Sequence, residues 1–200
     1  MQHPTSPASP VDLDADQALG RLAALTVVDV RTPAEYASGH VPGALNVPLD
    51  RLGQAVPALR DAAARGELLV VCQSGNRSAT ARDRLAAEGV PALNLTGGTS
   101  GWAARGHALD RPAGAPVKPV WAMDRQVRLV AGSLVLIGIA LGLLIHPAFQ
   151  LLSAGIAGGL VFSALTNTCG MAAMLGRLPY NRATTCGLPL DTTLQRLRQG

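Results

Sequence analysis

Hydrophobic and polar residues alternate in short blocks along the first 110 residues of the chain. The runs Leu25 to Val30 and Leu68 to Cys72 are apolar and rich in β-branched residues, as expected of strands that are buried on both faces. Ala44 to Val47 and Ala92 to Leu95 are weaker strand candidates, and Val11 to Leu13 is a candidate edge strand. The pattern therefore predicts five short strands.

Helical patterns fill the intervals between these strands. The predicted helices cover residues 14–22, 33–38, 52–65 and 78–88, and Gly89 provides a stop for the last of them. Regular alternation of strand and helix predicts an α/β fold with a small, mainly parallel five-stranded sheet flanked by helices. In such sheets ligands bind at the carboxyl ends of the strands, so the chemistry is expected at that edge.

The second half of the chain has a different pattern. Residues 129–176 form 48 consecutive positions without Asp, Glu, Lys or Arg. One bilayer crossing needs about 20 apolar residues, so this length predicts two transmembrane helices, at roughly 127–145 and 149–172. His146-Pro147 supplies the break between them, because proline disfavours helix in the residue before it. The alternative is a buried helical pair, but a 200-residue chain has little with which to cover both helices.

Composition and charge support a membrane protein. Hydrophobic residues make up 48% of the chain and charged residues only 15%. Residues 1–110 have a net charge of −2, and residues 111–200 have a net charge of +6 that lies beside the uncharged stretch. The basic residues form no dense run with interleaved aromatics, so nucleic-acid binding is not expected. The three cysteines are too widely spaced for a disulfide framework or a metal cluster, and no metal or cofactor is predicted.

The basic residues also predict an orientation. Lys118, Arg125 and Arg128 precede the first hydrophobic helix, Arg177 and Arg182 follow the second, and the turn has no basic residue. The positive-inside rule then places both termini on the cytoplasmic side of the membrane. Residues 1–10 lack the features of a signal peptide. The expected organisation is a disordered N-terminus (1–10), an α/β domain (11–110), a linker (111–124), a transmembrane hairpin (125–177) and a cytoplasmic tail (178–200).

Small residues mark both hydrophobic helices. Gly138 and Gly142 lie four residues apart on the first, and Gly155, Gly159 and Ser163 repeat that spacing on the second. Such residues let helix backbones approach closely in lipid. They either pack the two helices of one chain together or also join two chains, and the surplus on the second helix favours a homodimer. In the tail, leucines at helical spacing between 190 and 197 suggest a short helix at the membrane interface.

The candidate catalytic segment is Cys72-Gln73-Ser74-Gly75-Asn76-Arg77, which follows a predicted strand directly and precedes a helix. Backbone N–H groups and the dipole at a helix N-terminus favour an anion such as a thiolate. Small residues let several N–H groups of the loop converge on that anion, and Arg77 adds a positive charge at the rim. Cysteine phosphatases have a related arrangement, so the residues alone leave sulfur and phosphate chemistry open.

Several motifs in order resemble a single-domain rhodanese. They are residues 28–36 (VDVRTPAEY), 39–48 (GHVPGALNVP), the loop at 72–77 and residues 95–102 (LTGGTSGW). The final motif continues Gly106-His107-Ala108 where the family often has Gly-x-Pro, a small departure that touches no catalytic position. The second half of the chain resembles the two-helix hairpins that are fused to rhodaneses in bacterial inner-membrane proteins.

This resemblance implies a sulfurtransferase of the thiosulfate type. Cys72 would take sulfur from a small donor such as thiosulfate, carry it as a persulfide held by residues 73–77, and pass it to cyanide or to a thiol of a small molecule or protein. Asp29 and Arg31 would brace the loop, and Cys169 is a possible second thiol. The six-residue loop fits the family better than phosphatases, whose loop is longer. The alternatives are a catalytically silent or redox-regulatory membrane tether and, less favoured, a phosphatase or arsenate-type reductase.

Overall fold

The chain is described from a computed structural model, which covers residues 12–112, 121, 123–166, 171, 174–175, 178 and 190–199. It divides into two compact units. One consists of residues 1–119 together with 183–200, and the other consists of residues 120–182. The first unit contains an α/β domain and the C-terminal helix, and the second contains the apolar helices.

The elements follow the alternation that the sequence predicts. The helices of the first unit are α1 (Ala15–Arg21), α2 (Pro33–Ala37), α3 (Leu52–Arg65), α4 (Asn76–Ala87), α5 (Gly98–Ala104) and α8 (Leu190–Gln199). Its strands are β1 (Leu25–Asp29), β2 (Leu45–Asn46), β3 (Glu67–Val71) and β4 (Leu93–Asn94). The second unit contains α6 (Met123–Leu144) and α7 (Gln150–Thr166). Short 3-10 turns lie at Leu22–Ala24, Leu49–Arg51 and Pro147–Phe149.

The sheet is fully parallel, with the strand order β2-β1-β3-β4. It has four strands and not five, so the predicted edge strand at residues 11–13 is wrong. Leu13 forms only an isolated parallel bridge with Leu95, exchanging hydrogen bonds with the backbone of Asn94 and Thr96. The chain cannot continue as a strand because the next residue, Asp14, caps α1 by accepting hydrogen bonds from two N–H groups of its first turn.

Both faces of the sheet are buried, as the apolar strands predict. Alternate strand residues point to opposite sides. Val28 and Val70 pack with α3 and α4 on one side, and Val27 and Leu69 pack with α1 and Trp102 of α5 on the other. The two central strands therefore end in the middle of a solid, two-sided core, which fixes the position of the loop that follows β3.

The C-terminal helix α8 packs against the α/β domain. Leu197 is 2% exposed and belongs to the same hydrophobic cluster as α3, and Leu190 and Leu194 pack against that cluster. The guanidinium of Arg65, in the last turn of α3, donates a hydrogen bond to the carbonyl oxygen of Leu197. The prediction of a helix from the leucine spacing is confirmed. The predicted contact of that helix with the membrane interface is wrong, because its apolar face packs against α3.

The helices α6 and α7 form an apolar hairpin with two candidate membrane spans, Arg125–Leu144 and Pro147–Leu165. The chain leaves the helical conformation at His146, whose extended backbone and side-chain cap on Ala148 open the turn. The break at His146-Pro147 is as predicted. Most large apolar side chains of the two helices are exposed, and leucines such as Leu143 and Leu165 are over 70% exposed. Buried positions such as Ser153 lie where the two helices face each other.

Glycines allow the close contact inside this hairpin. A Cβ atom on Gly138 would collide with the side chain of Ser153, and one on Gly142 would collide with Gln150. Ser153 also donates a hydrogen bond from its hydroxyl to the carbonyl oxygen of Val135, at 2.9 Å. Gly138 and Gly142 therefore lie on the face of α6 against which α7 packs.

Candidate active site

Cys72 lies directly after the central strand β3, at the carboxyl edge of the sheet, and is fully buried. The chain turns from this strand into α4 through residues 73–75. Gly75 precedes the helix with φ +100°, in the left-handed region that favours glycine. A side chain at that position would also crowd the backbone of Leu95 and Gly97 from the neighbouring segment. The tight loop around Cys72 thus requires glycine at residue 75.

Two groups are placed to donate hydrogen bonds to the sulfur of Cys72. The N–H of Gly75 donates to Sγ at 3.1 Å, and the hydroxyl of Ser78 lies 3.3 Å from Sγ. The same hydroxyl lies 3.0 Å from the carbonyl oxygen of Gly75, so its single proton serves one acceptor at a time. An anionic sulfur is the stronger acceptor of the two. The site is therefore built to stabilise negative charge on this sulfur.

The start of α5 holds the loop from the other side. The N–H groups of Thr99 and Ser100 donate to the carbonyl oxygens of Cys72 and Gln73, at 2.8 and 3.0 Å. Gly98 approaches the same two carbonyls so closely that a Cβ atom there would lie 2.7 Å from the carbonyl oxygen of Gln73. Because these contacts involve backbone atoms that cannot move aside, α5 fixes the conformation of the residue that carries the sulfur.

Arg77 is paired with a buried carboxylate. Its Nη1 and Nη2 atoms donate to the two carboxylate oxygens of Glu35, at 2.9 and 2.8 Å. Burial alone would lower the pKa of Arg77, but the hydrogen bonds and charge of Glu35 outweigh it and raise that pKa. The sequence predicts a positive charge of Arg77 at the rim, and the structure pairs that charge with the carboxylate of Glu35.

Glu35 performs two tasks at once. It is 1% exposed, and it completes a capping box at the start of α2 by accepting hydrogen bonds from the N–H and hydroxyl of Thr32. The hydrogen bonds with Thr32 therefore fix the position of the Glu35 carboxylate independently of its contact with Arg77. A second pair lies beside the loop, where Arg31 binds Asp29 through three hydrogen bonds and its Nη1 donates to the side-chain oxygen of Gln73 at 3.1 Å.

The structure thus brings together most of the residues that the sequence singles out. Cys72, Gly75 and Arg77 belong to one loop, and Asp29 and Arg31 contact it through Gln73, which also donates to the hydroxyl of Ser100. Ser74 and Asn76 are exposed on its outer side. Cys169, the possible second thiol, and Cys186 lie outside the described residues.

Sequence reasoning missed the contributions of Glu35, Ser78 and the first turn of α5. The position of Glu35 at the start of a predicted helix indicates a capping residue, and residues 95–102 stand out only as the last motif of the domain, so neither pattern indicates a contact with the Cys72 loop. A signal was present in both cases. Glu35 is an acidic residue in a motif that starts at the same sheet edge, and the Gly97-Gly98 pair follows the strand next to β3.

His40 makes structural contacts. Its ring is 7% exposed, stacks on Tyr36 with centroids 3.7 Å apart, and lies 3.0 Å through Nδ1 from the carbonyl oxygen of Tyr36. Burial lowers the pKa of His40, which favours the neutral ring in the folded protein. Its contacts hold α2 and the following turn, which is a structural role.

The fold and loop define a rhodanese-like domain joined to an apolar two-helix hairpin. Comparison with known families agrees with both parts. Residues 12–105 match the rhodanese-like domain, and residues 121–187 match the transmembrane domain of inner membrane proteins similar to YgaP. The chain belongs to the rhodanese family, in the group whose members carry this C-terminal transmembrane domain, and it is a membrane protein.

Individual relatives support this assignment. The uncharacterized protein slr1261 of Synechocystis is 38% identical over 167 residues, covering 83% of this chain and 89% of its own. A sulfurtransferase of Allochromatium vinosum is 35% identical over 52% of this chain and 97% of its own. The thiosulfate sulfurtransferase PspE of Escherichia coli is 35% identical over 36% of this chain and 67% of its own. The similarity to slr1261 therefore extends through both units.

Proposed function

We propose that the protein is a membrane-anchored sulfurtransferase that carries sulfur as a persulfide on Cys72. The observation that carries this proposal is the pair of donors at the sulfur, the N–H of Gly75 and the hydroxyl of Ser78. Covalent catalysis by a thiolate needs a nucleophile whose charge is stabilised by preorganised donors. The relatives named as sulfurtransferases add independent support.

The proposed reaction has two steps. In the first, the Cys72 thiolate attacks the outer sulfur of a donor such as thiosulfate, so that an S–S bond to Cys72 forms and the S–S bond of thiosulfate breaks with release of sulfite. In the second, cyanide or the thiolate of a small molecule or protein attacks the outer sulfur of the persulfide. This bond change returns Cys72 to the thiolate, and no proton carrier is required if both nucleophiles arrive as anions.

The test is turnover of thiosulfate and cyanide by the full chain in detergent, with an aryl phosphate offered in parallel. We expect thiocyanate to form with the wild type, and Cys72→Ser to abolish it while far-UV circular dichroism stays unchanged. Ala87→Ser is a control, because Ala87 is exposed in the last turn of α4, at the opposite end of that helix from the Cys72 loop. Hydrolysis of the aryl phosphate without thiocyanate would favour a phosphatase, and inactivity on both would favour a membrane tether.

We also propose that both termini lie in the cytoplasm and that the membrane is a bacterial-type inner membrane. The helix α8 packs within the same compact unit as the α/β domain, although α6 and α7 lie between them in the chain. A folded unit lies on one side of a bilayer, which supports an even number of crossings. The basic residues on both flanks then favour the cytoplasmic side.

Reporter fusions test this orientation. Alkaline phosphatase, which is active only outside the cytoplasm, should be inactive when fused after Gly200 and active when inserted at Pro147 in the turn. The two fusions control for each other because they differ only in position. Activity after Gly200 would place Cys72 in an oxidising compartment and contradict the cytoplasmic assignment.

A homodimer through α7 is the last part of the proposal. Gly138 and Gly142 of α6 face α7 within one chain, whereas a Cβ atom on Gly155, Gly158 or Gly159 of α7 would meet no described atom within 4 Å. Among the described residues of the hairpin, these three glycines leave an exposed face of α7 that packs against nothing. In lipid such a face allows a second helix to approach closely, and the same face of a second copy is complementary to it.

A further inference from the structure

Within the part of the chain that the structure describes, the guanidiniums nearest the sulfur of Cys72 each form an ion pair with a buried carboxylate. Among the hydrogen bonds of the described residues, two guanidiniums belong to the loop or donate to it, and these are Arg77 and Arg31. Arg77 is paired with Glu35 and Arg31 with Asp29, and both carboxylates are 1% exposed or less. An anion that enters the site therefore meets backbone and hydroxyl donors beside two neutralised pairs.

We infer that Glu35 is a specificity-determining positioning residue: by neutralising Arg77 it makes the site favour monoanionic sulfur donors, such as thiosulfonates, over the dianion thiosulfate. Glu35 occupies the Nη1 and Nη2 atoms of Arg77, the pair with which a guanidinium binds an oxyanion in bidentate fashion. This inference rests on the proposed sulfur transfer and specifies the donor class for the same site.

Arg77 is accessible enough for loss of the Glu35 charge to affect the binding of a donor. Its side chain is 26% exposed, whereas the side chain of Arg31 is 2% exposed and its donors are used by Asp29, Gln73 and Gly39. Loss of the Glu35 charge would therefore give a cation that solvent and donor can reach. A dianion loses more hydration than a monoanion on entering a buried site, so it gains more from an uncompensated positive charge.

Two donors separate charge from chemistry. Thiosulfate and methanethiosulfonate both present an outer sulfur to the Cys72 thiolate. In each case one S–S bond forms to Cys72 and one S–S bond breaks, and the electron pair leaves on sulfite or on methanesulfinate. The total charge is conserved in both reactions, and no oxidant or reductant is needed. The donors differ by one negative charge before attack.

The experiment compares KM and kcat for the two donors, with cyanide as acceptor and the full chain in lipid nanodiscs. We expect Glu35→Gln to lower KM for thiosulfate about tenfold and to change KM for methanethiosulfonate much less. Glutamine keeps an oxygen for the capping contacts with Thr32. The matched control is Glu67→Gln, since Glu67 is an exposed residue at the opposite end of β3 and pairs with Arg21.

A charge series keeps the inference testable if one variant folds poorly. Arg77→Gln removes the cation that offsets the Glu35 carboxylate and should raise KM for thiosulfate more than KM for methanethiosulfonate. The double variant Glu35→Gln/Arg77→Gln should restore the donor preference of the wild type. A donor preference that stays the same throughout the series would overturn the inference and leave the proposed function standing. Inactivity of the wild type with both donors would instead overturn the proposed function.

Discussion

The two compact units of this protein treat apolar residues in opposite ways. In the α/β unit the sheet residues Val28 and Leu69 are fully buried, and even the C-terminal helix hides its leucines. In the hairpin, Leu143 and Leu165 are 74% and 83% exposed, although α6 and α7 are the most apolar helices of the chain. The first unit buries its apolar side chains in its own core, whereas the hairpin exposes its apolar side chains, as expected of helices that contact lipid.

Glycine shows the same contrast. In the α/β unit, Gly75 and Gly98 have positive φ and allow backbone segments to meet around Cys72. In the hairpin, Gly138 lies within a helix and serves only to bring α7 close. One residue type therefore shapes a reactive loop in one unit and a helix contact in the other. Substitutions in the two units should consequently fail in different ways.

The largest difference between the two units is expected when the same change, leucine to alanine, is made in each of them. Leu69→Ala should lower the free energy of unfolding by about 2–5 kcal/mol, because it leaves a cavity in a solid core. Leu143→Ala in the hairpin should change it by less than about 1 kcal/mol, since its surroundings adapt. Urea unfolding in a Trp121→Phe background, followed by Trp102 fluorescence, measures the effect of Leu69→Ala, and loss of helical circular dichroism of the full chain on titration with a denaturing detergent measures the effect of Leu143→Ala. Equal effects of the two changes would break the comparison.

The C-terminal helix gives a smaller effect of the same kind. Leu197→Ala should destabilise the α/β unit by about 2 kcal/mol, because Leu197 is buried against α3. Gln195→Ala is a control, as Gln195 is on the exposed side of the same helix. Unfolding by urea is again the measurement. If Leu197→Ala were silent, α8 would not be part of this unit, and the support that it lends to the topology would be lost.

The glycines of the hairpin should separate folding from association. Gly138→Leu should disrupt the packing of α6 on α7, because the new side chain meets Ser153. Gly159→Leu should leave the hairpin folded but weaken the proposed dimer, by about 1 kcal/mol or more. Cross-linking in native membranes reads out association, and thiosulfate turnover should survive Gly159→Leu. A wild type that stays monomeric at every protein-to-lipid ratio would refute the dimer.

The smallest expected effect is the pH dependence caused by His40. Burial lowers the pKa of His40 in the folded protein, so the unfolded chain takes up this proton at a higher pH than the folded chain does. The contribution of neutral His40 to the free energy of unfolding is therefore fully present above a pH of about 6.5, and this free energy falls as the pH drops below that value. His40→Gln should remove this part of the decline. An identical pH profile for the variant would show that His40 titrates equally in both states.

Periodicity predicted most of the fold, and the errors have physical causes. The bounds of α3 agree with the predicted residues 52–65, because an uninterrupted apolar face runs along it. The edge strand at 11–13 was wrong because a single residue, Leu13, pairs before Asp14 starts a helix. The leucines of α8 identified a helix, but the pattern of one helix does not specify which surface will cover it.

The local features of the site were predictable from the sequence, but the contacts between segments that are distant in the chain were not. The position of Cys72 between a buried strand and a helix follows from local pattern alone. The pairing of Arg77 with Glu35 does not, because the two residues are 42 positions apart and meet only through the order of the parallel strands. Charge at a site is set by such long-range pairs, and so the rim that appeared positive in the sequence is neutral in the structure.

Mass spectrometry of the peptide that contains Cys72 tests the central claim most directly. The full chain is incubated with thiosulfate, treated with an alkylating reagent that preserves persulfides, and digested. The account predicts a gain in mass of one sulfur atom on alkylated Cys72, its loss when cyanide is added before alkylation, and alkylated peptides of Cys169 and Cys186 without added sulfur. Absence of the added sulfur from Cys72, or its appearance on another cysteine in the Cys72→Ser variant, would contradict the account.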